Sequence, residues 1–417
     1  MRTEHKDVAI VGGGPAGSNT ALKLKQLDPS LDVAVYERGE QPSSQCAGGL
    51  GIPYKKHMGY QPPDEVVKSP IEEVIIASPN EEMTLQASDL DLSNIDWVED
   101  ENEIGWVVDR HAWDLYMLDL ASDEGARINK KHTVKEVTQN NDSIIVLDRN
   151  KNEKIEVKAE YIVLANGVSW DLAQQAGFDE SVVVPPKSEM HMGLQYEFQD
   201  HEYFEKYGKN SIYLEFNREY APNGYVWSFA SDDGYTKWGS GVPLSHEASV
   251  KEGLNKYFED NGKMDMKEET TRKTTNAIIP TAKPLDSAIN GNVALVGDVA
   301  HHCDNLHGGG QMFGARAANC VARAINEDDL SRYDSYWKDD FLDTLQHRFI
   351  LRDLIHNMDN SEYDRFVKSI NSFEVNGVNP DVEIPRMMWH CLKNDPGIFG
   401  KSAKEATTAM ARQKFGI

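Results

Sequence analysis

The fold is decided by the stretch Asp7-Val-Ala-Ile-Val-Gly-Gly-Gly-Pro-Ala-Gly17, in which an apolar run over residues 8–11 ends at a cluster of glycines. The apolar run predicts a buried parallel strand, and the apolar residues at helical spacing over 21–27 predict a helix. A second apolar run over 33–36 then leads to Glu37. A strand, a glycine turn, a helix and a second strand ending in an acid form, in this order, the βαβ pattern that binds a dinucleotide.

Each part of this pattern has a physical role in holding a dinucleotide. Gly12 allows the tight turn, Gly14 lets the backbone approach a pyrophosphate, and Gly17 lets the helix pack closely on the strand. The helix N-terminus, which includes Pro15 and Ala16, presents unpaired N–H groups to the phosphates. Glu37 follows Gly17 by 20 residues and is placed to accept hydrogen bonds from ribose hydroxyls. We therefore predict that the chain binds an ADP-containing dinucleotide.

Composition narrows the class of protein. The chain has 417 residues, 40% of them hydrophobic, and a formal net charge of −25, which argues against a nucleic-acid partner. No apolar stretch approaches the roughly 18 residues of a membrane span, and the first strand begins too early for a signal peptide. The four cysteines lack metal-ligand spacing, so we expect no metal and a reducing, cytoplasmic setting.

The remaining elements are dispersed along the chain. We predict a helix closed by Gly125, a hairpin over 144–157, a buried strand over 161–164 and a late strand that ends at Gly297-Asp298. A helix over 311–325 follows a glycine-rich loop. Residues that alternate between polar and apolar predict one mostly antiparallel sheet inserted twice. Three domains are expected. A discontinuous dinucleotide domain spans 1–65, 105–185 and 281–330, and a sheet domain spans 66–104 and 186–280. A helical C-terminal region spans 331–417.

This α/β layout resembles the p-hydroxybenzoate-hydroxylase-like flavoproteins, whose Rossmann-like FAD-binding domain is of the glutathione-reductase type. The features shared are the N-terminal glycine motif, the Arg-x-x-x-Asp helix at 110–114, and the late Gly-Asp strand with its glycine-rich loop. The resemblance implies that FAD is the cofactor and that the isoalloxazine ring lies at the glycine-rich loop, where N–H groups stabilise negative charge. The cofactor-binding residues expected are Gly12, Gly14, Pro15, Ala16, Gly17, Glu37, Arg38, Cys46, Ala47, Gly48, Arg110, Asp298, Gly308, Gly309 and Gly310.

Two further motifs resemble the geranylgeranyl reductase family. The segment Ser44-Gln45-Cys46-Ala47-Gly48-Gly49-Leu50 is similar to its Cys-x-Gly-Gly element. The segment over 221–230 is similar to its Pro-x-x-Tyr-x-Trp-x-Phe-Pro element, except that Ala230 stands in the last Pro position. The resemblance implies an FAD-dependent reductase of isolated C=C bonds in geranylgeranyl chains, including those of archaeal ether lipids. The late loop departs from the family, because it reads Gly-Asp-Val-Ala-His over 297–301, as in flavin monooxygenases.

Reduction of an unactivated alkene requires a hydride from the flavin and a proton donor held near the double bond. The catalytic candidates are Cys46, Tyr225, Trp227 and His307, with His301 and His302 as further possible acids. Tyr225, Trp227 and Phe229 alternate along a strand and so share one face, which fits either an ordinary core or the wall of an apolar tunnel. Cys46 fits either an inert buried thiol or a group at the flavin. A flavin monooxygenase or halogenase acting on a hydrophobic or aromatic substrate is the alternative function.

The expected partners follow from this chemistry. The substrate is an isoprenoid lipid, and the electrons come from NAD(P)H or a ferredoxin because the chain has only one dinucleotide motif. The stretch from Lys401 to Lys414 is basic against an acidic background. It fits either a solvated terminal helix or a contact with anionic lipid, and in the second case the protein would be peripheral on the cytoplasmic membrane face.

Overall fold

The computed structural model describes residues 1–42, 45–90, 92, 95, 98, 100–138, 140–231, 233–375, 380–395 and 397–398. Within these residues the chain forms two compact units. The first is formed by the described residues of the ranges 1–44, 110–189 and 280–346, and the second by those of the ranges 45–109, 190–279 and 347–417. Contacts therefore assign residues 45–65 to the second unit, whereas the sequence places them in the first domain; the domain limits stay a prediction.

The strands are β1 (Arg2–Val11), β2 (Val33–Glu37), β3 (Gly49–Gly51), β4 (Val67–Ile71), β5 (Glu73–Ala77), β6 (Glu82–Gln86), β7 (Gly105–Val108), β8 (Arg127–Lys130), β9 (His132–Val137), β10 (Ser143–Asp148), β11 (Glu153–Leu164), β12 (His191–Gln199), β13 (Ser211–Glu215), β14 (Tyr225–Ala230), β15 (Tyr235–Pro243), β16 (Lys273–Ile279), β17 (Ile289–Asn290) and β18 (Val293–Leu295). The helices are α1 (Pro15–Leu27), α2 (Pro53–Met58), α3 (Arg110–Asp123), α4 (Asp171–Gln175), α5 (Glu180–Val183), α6 (His201–Tyr207), α7 (Val250–Asp260), α8 (Met264–Thr270), α9 (Gln311–Asn326), α10 (Tyr333–Trp337), α11 (Asp343–His356), α12 (Asn360–Ile370) and α13 (Pro380–Asn394).

The first unit is built on a sheet in the order β17-β18-β11-β1-β2-β8. Strands β18, β11, β1, β2 and β8 run parallel to one another, whereas β17 pairs with β18 and β10 pairs with β11 in antiparallel fashion. Residues 8–11 and 33–37 are buried, as a central parallel strand requires. The carboxyl ends of β1, β11 and β18 meet at one edge of the sheet, which is where such sheets bind ligands.

The glycine turn after β1 requires its glycines. Gly12 has a φ of +100°, and a Cβ there would lie 2.4 Å from the carbonyl oxygen of Ala165. A Cβ on Gly17 would lie 2.0 Å from the carbonyl oxygen of Gly12. A side chain at Gly12 would therefore displace the turn from the end of β11, and one at Gly17 would push α1 away from the turn, as the sequence motif predicts.

The second unit contains a seven-stranded sheet in the order β16-β12-β15-β14-β13-β5-β6. All its neighbours are antiparallel except β13 and β5. A smaller sheet, β3-β7-β4, belongs to the same unit. One face of the large sheet packs on an aromatic core that includes Phe198, Tyr203, Trp238, Tyr257 and Phe258. The predicted antiparallel sheet is therefore present, with one parallel pair, but β4, which the prediction placed in it, belongs to the smaller sheet.

Several predicted elements differ in detail. The hairpin strand over 154–157 and the buried strand over 161–164 are one continuous strand, β11, in which residues 155, 157 and 159 are buried in alternation and residues 162–164 are all buried. Gly125, with a φ of +99°, follows the end of α3 as predicted. Helix α13 begins at Pro380. Pro385 lies inside this helix. No helix in the described part of the chain is long and apolar enough to cross a membrane.

Candidate active site

Two helix N-termini meet in the first unit. Helix α1 begins with Pro15 after Gly14, and helix α9 begins after Gly310. Ala16 lies where these ends converge, because a Cβ on Gly297 would be 2.9 Å from its Cβ and one on Gly314 would be 3.5 Å from it. A Cβ on Gly14 would meet no atom within 4 Å. The converging N–H groups and the open space at Gly14 fit a bound pyrophosphate.

Glu37 is oriented by the glycine turn. Its carboxylate is buried and accepts hydrogen bonds from the backbone N–H groups of Gly13, at 2.9 Å, and Gly39, at 2.8 Å. Each carboxylate oxygen keeps accepting capacity for a ribose hydroxyl. The next residue, Arg38, is exposed, and its place at the cofactor stays a prediction.

Arg110 and Asp298 both belong to the first unit, and the charge of Arg110 acts on the Asp298 carboxyl group. Arg110 forms a buried ion pair with Asp114 along α3, with Nη2 2.8 Å from Oδ1. Asp298 follows β18 and approaches the start of α9, so that a Cβ on Gly310 would lie 2.7 Å from its Oδ1. Burial raises the pKa of Asp298 to about 6, and the charge of Arg110 opposes this shift.

This raised pKa gives a testable dependence of stability on pH. The folded apoprotein holds the Asp298 proton more tightly than the unfolded chain, whose ordinary value is 3.8. The stabilisation is therefore full below about pH 4 and is lost as the pH rises through about 6. In urea unfolding of apoprotein, we expect the difference between wild type and Asp298→Asn to change by up to about 3 kcal/mol between pH 4 and 8. A constant difference over this range would contradict the assignment.

The glycine-rich loop, residues 304–310, is held by Asp304. The buried carboxylate of this residue accepts hydrogen bonds from the N–H groups of Leu306, at 2.9 Å, and His307, at 3.4 Å. Its backbone also pairs with Gly308 and Gly309. The His307 ring, with its side chain 47% exposed, lies 3.2 Å from the Asp304 carboxylate. The hydrogen bonds of Asp304 therefore fix the conformation of the loop. The His307 side chain is partly exposed to solvent.

The two histidines before this loop are enclosed. Nδ1 and Nε2 of His301 each lie 2.9 Å from a backbone carbonyl oxygen, of Lys283 and Val183 respectively. His302 packs between Trp337 and Phe341, and burial lowers its pKa to about 3. Both rings are buried, so these residues are parts of the packing behind the loop rather than exposed acids.

The three aromatic side chains of the second motif share one face of the large sheet, as predicted. Along β14, residues 226, 228 and 230 are fully buried towards the aromatic core, whereas Tyr225, Trp227 and Phe229 are partly buried on the opposite face. We call this opposite face the aromatic face. The side chains of the aromatic face do not belong to the core cluster. This favours the wall of an apolar tunnel over an ordinary core.

Trp227 lies flat on the strands beside it. A Cβ on Gly239 would be 2.4 Å from the indole, and one on Gly241 would be 3.6 Å from it. The indole Nε1 donates to Gln195 Oε1 at 3.2 Å. Glycine at 239 therefore makes room for the ring, and Gln195 sets its orientation. The sequence reasoning did not single out Gln195 or Gly239, although the alternation of Lys237, Gly239 and Gly241 on β15 was a visible signal.

The segment over 46–49 docks on the aromatic face, and we call it the cysteine loop. A Cβ on Gly49 would lie 2.5 Å from the Phe229 ring, so the loop backbone is in contact with this aromatic side chain. The N–H of Gly48 lies 3.4 Å from Cys46 Sγ. Cys46 is exposed, while the other three cysteines are buried. The two motifs therefore meet in one unit, and the inert buried thiol is excluded for Cys46. The predicted contact of Cys46, Ala47 and Gly48 with the flavin stays a prediction.

Comparisons with known proteins agree with this architecture. Residues 189–278 match the geranylgeranyl reductase catalytic domain. The chain is 23% identical to digeranylgeranylglycerophospholipid reductase 2 of Methanopyrus kandleri, over 94% of this chain and 97% of the relative. It is 25% identical to the digeranylgeranylglycerophospholipid reductase 2 of Methanothermobacter thermautotrophicus, over 89% and 94%.

Solved structures share the fold. A geranylgeranyl bacteriochlorophyll reductase-like protein from Thermoplasma acidophilum superposes with a TM-score of 0.84 at 19% identity, over 98% of this chain and 100% of that one. A flavin-dependent brominase superposes with a TM-score of 0.67 at 14% identity, over 99% and 100%. The fold is that of flavin-dependent oxidoreductases, as predicted. The sequence is similar to those of the geranylgeranyl reductases, and the resemblance drawn from its motifs is confirmed.

Proposed function

We propose that the protein is an FAD-dependent reductase that saturates C=C bonds of geranylgeranyl chains, with archaeal ether-lipid precursors as substrates. The observation that carries this proposal is the docking of the cysteine loop on the aromatic face, because the two motifs typical of the reductases form one structure. That face lies within the stretch that matches the reductase catalytic domain. The monooxygenase or halogenase alternative has in its favour the fold and the Gly-Asp-Val-Ala-His sequence over 297–301.

The residues divide the work as follows. The N-termini of α1 and α9 and the Glu37 carboxylate would hold FAD, which in its reduced form would supply a hydride for one alkene carbon. The aromatic face excludes water and positions the prenyl chain, since an isolated alkene offers no polar group for recognition. Cys46 delivers a proton to the other alkene carbon. The product gains two hydrogens for each double bond, and no oxygen is consumed.

Anaerobic turnover tests the function. Dithionite-reduced protein incubated with a digeranylgeranylglycerophospholipid should yield products heavier by two hydrogens per double bond, detected by mass spectrometry. An unchanged lipid, together with substrate-coupled oxygen uptake in air, would establish the monooxygenase class instead.

The Cys46→Ser variant tests the proton donor. A serine hydroxyl is a much weaker acid than a thiol, so we expect the turnover number to fall about 100-fold. FAD content and lipid KM should stay near the wild-type values, because the group acts only at the chemical step. Cys391→Ser is the matched control, since this thiol is buried elsewhere in the second unit. Equal turnover in Cys46→Ser and wild type would remove Cys46 from the mechanism.

The remaining partners are proposals as well. Electrons come from NAD(P)H bound transiently or from a ferredoxin, and stopped-flow reduction of the flavin by each donor distinguishes them. We also propose peripheral binding to anionic membranes through the stretch from Lys401 to Lys414, which lies outside the described residues. Co-sedimentation with anionic vesicles at low salt, lost at high salt, is the expected behaviour. Binding that salt leaves unchanged would contradict an electrostatic contact.

A further inference from the structure

Lys237 is a buried cation in the middle of the aromatic face. It lies on β15, two residues before Gly239, and is only 9% exposed. Its Nζ donates to the carbonyl oxygen of Ala47 at 2.9 Å and lies 3.5 Å from that of Val108. Burial lowers the pKa of Lys237, while Glu197, Cys46 and Asp109 oppose the shift. Burial of this lysine costs the desolvation of its charge, which its hydrogen bonds to the two carbonyl oxygens offset.

The two carbonyl groups belong to backbone segments that pair with each other. The N–H of Val108, at the end of β7, donates to the carbonyl oxygen of Gly48 at 2.9 Å. Gly48 has a φ of +99°, and a Cβ there would lie 2.4 Å from the Val108 oxygen and 3.4 Å from Lys237 Nζ. The lysine head therefore lies against the cysteine loop and β7 and joins both to the large sheet.

This geometry has a consequence for Cys46. The loop turns sharply at Gly48, and Cys46 itself is exposed, so its place depends on the backbone that follows it. The Ala47 carbonyl, one residue away, receives the Lys237 bond. An apolar side chain of the same length would leave that carbonyl without this donor and would leave the loop with fewer bonds to the sheet.

We propose that Lys237 is a positioning residue for the reductase reaction, which sets the place of Cys46 by anchoring the Ala47 carbonyl to the sheet. The proposal rests on the proposed function, in which Cys46 delivers the proton. It assigns Lys237 no contact with the lipid or the cofactor. A displacement of about 1 Å of a reacting group is enough to slow a reaction about 100-fold.

The first test is kinetic. Lys237→Met keeps the length of the side chain and removes the donor, so we expect the turnover number to fall about 10- to 100-fold with little change in lipid KM or FAD content. Lys237→Arg keeps donors and should recover most of the activity. In the Cys46→Ser background, Lys237→Met should cause no further loss, because both changes act through one group. Additive losses, or full activity of Lys237→Met, would overturn the proposal.

Lys263→Met is the matched control. Lys263 is another buried lysine of the second unit, and its Nζ lies 2.8 Å from Asp200. Its loss should destabilise the unit at least as much as Lys237→Met, because a buried partner charge is left behind, but it should leave the turnover number of the folded enzyme unchanged. If the turnover number falls in both variants in proportion to their loss of stability, the role of Lys237 is only structural.

Hydrogen exchange separates this proposal from the function itself, because it needs no substrate. In Lys237→Met we expect faster exchange of the Gly48 and Val108 amides than in wild type, while amides next to Lys263 keep their rates. Unchanged exchange at Gly48 and Val108 overturns the anchoring whatever the activity. If these amides exchange faster but the protein reduces no prenyl lipid, the result supports the anchoring of Ala47 by Lys237 and contradicts only the proposed function.

Discussion

Gly14→Ala should leave the fold of the apoprotein intact and reduce its affinity for FAD by about 100-fold. The added Cβ would meet no protein atom within 4 Å, and the backbone at this position, with φ −70° and ψ −177°, is open to any residue. It would, however, occupy the space at the start of α1 where the pyrophosphate is expected. Steric overlap of one methyl group costs about 1–3 kcal/mol. Isothermal titration of apoprotein with FAD gives the affinity, and urea unfolding gives the stability.

Two matched variants make this result interpretable. Gly51→Ala, in the other unit, should keep both affinity and stability, because its Cβ makes only ordinary contacts. Gly17→Ala should lose both, since its Cβ would lie 2.0 Å from the Gly12 carbonyl oxygen. Wild-type FAD affinity in Gly14→Ala would place the pyrophosphate elsewhere.

Gly239→Ala should reduce turnover by about 100-fold while FAD remains bound. Its Cβ would lie 2.4 Å from the Trp227 indole, so the ring must leave its place and lose its bond to Gln195. A misplaced wall moves the alkene relative to the reacting groups, and a shift of about 1 Å has this effect on rate. Single-turnover rates per bound flavin measure the chemistry, and tryptophan fluorescence reports the moved indole.

Gly241→Ala is the control on the same strand and the same face. Its Cβ would approach the indole only to 3.6 Å, an ordinary contact distance. We expect nearly wild-type turnover from this variant. If both variants lose activity equally, the cause is a general disturbance of β15 rather than the position of Trp227.

Much of the fold follows from local sequence patterns. The βαβ unit, helix α9 and the cap at Gly125 were predictable because glycine spacing and apolar periodicity act over a few residues. The shared face of Tyr225, Trp227 and Phe229 follows from strand alternation alone. Cys46 and the aromatic motif were also recognised, but as two separate elements.

Local sequence patterns did not predict the contact between the cysteine loop and the aromatic motif. Lys237 reads as a polar residue on a strand, and nothing in its neighbours indicates that its ammonium meets a carbonyl at Ala47, 190 residues away. The role of Asp304 was likewise not predicted, and its hydrogen bonds to the loop amides define it as a structural carboxylate. Pairings across such distances depend on sheet register, which local patterns do not contain.

The fixed position of the Trp227 ring also affects how much side-chain freedom the site loses when a ligand binds. A ring fixed above Gly239 and tied to Gln195 has already lost its rotational freedom during folding, so binding freezes few further rotamers. Gly239 and Gly241 add no side chains that could form pockets matched to one isoprene unit. Successive units of a polyprenyl chain would therefore meet the same surface, and a single wall of this kind can accept a chain at several registers.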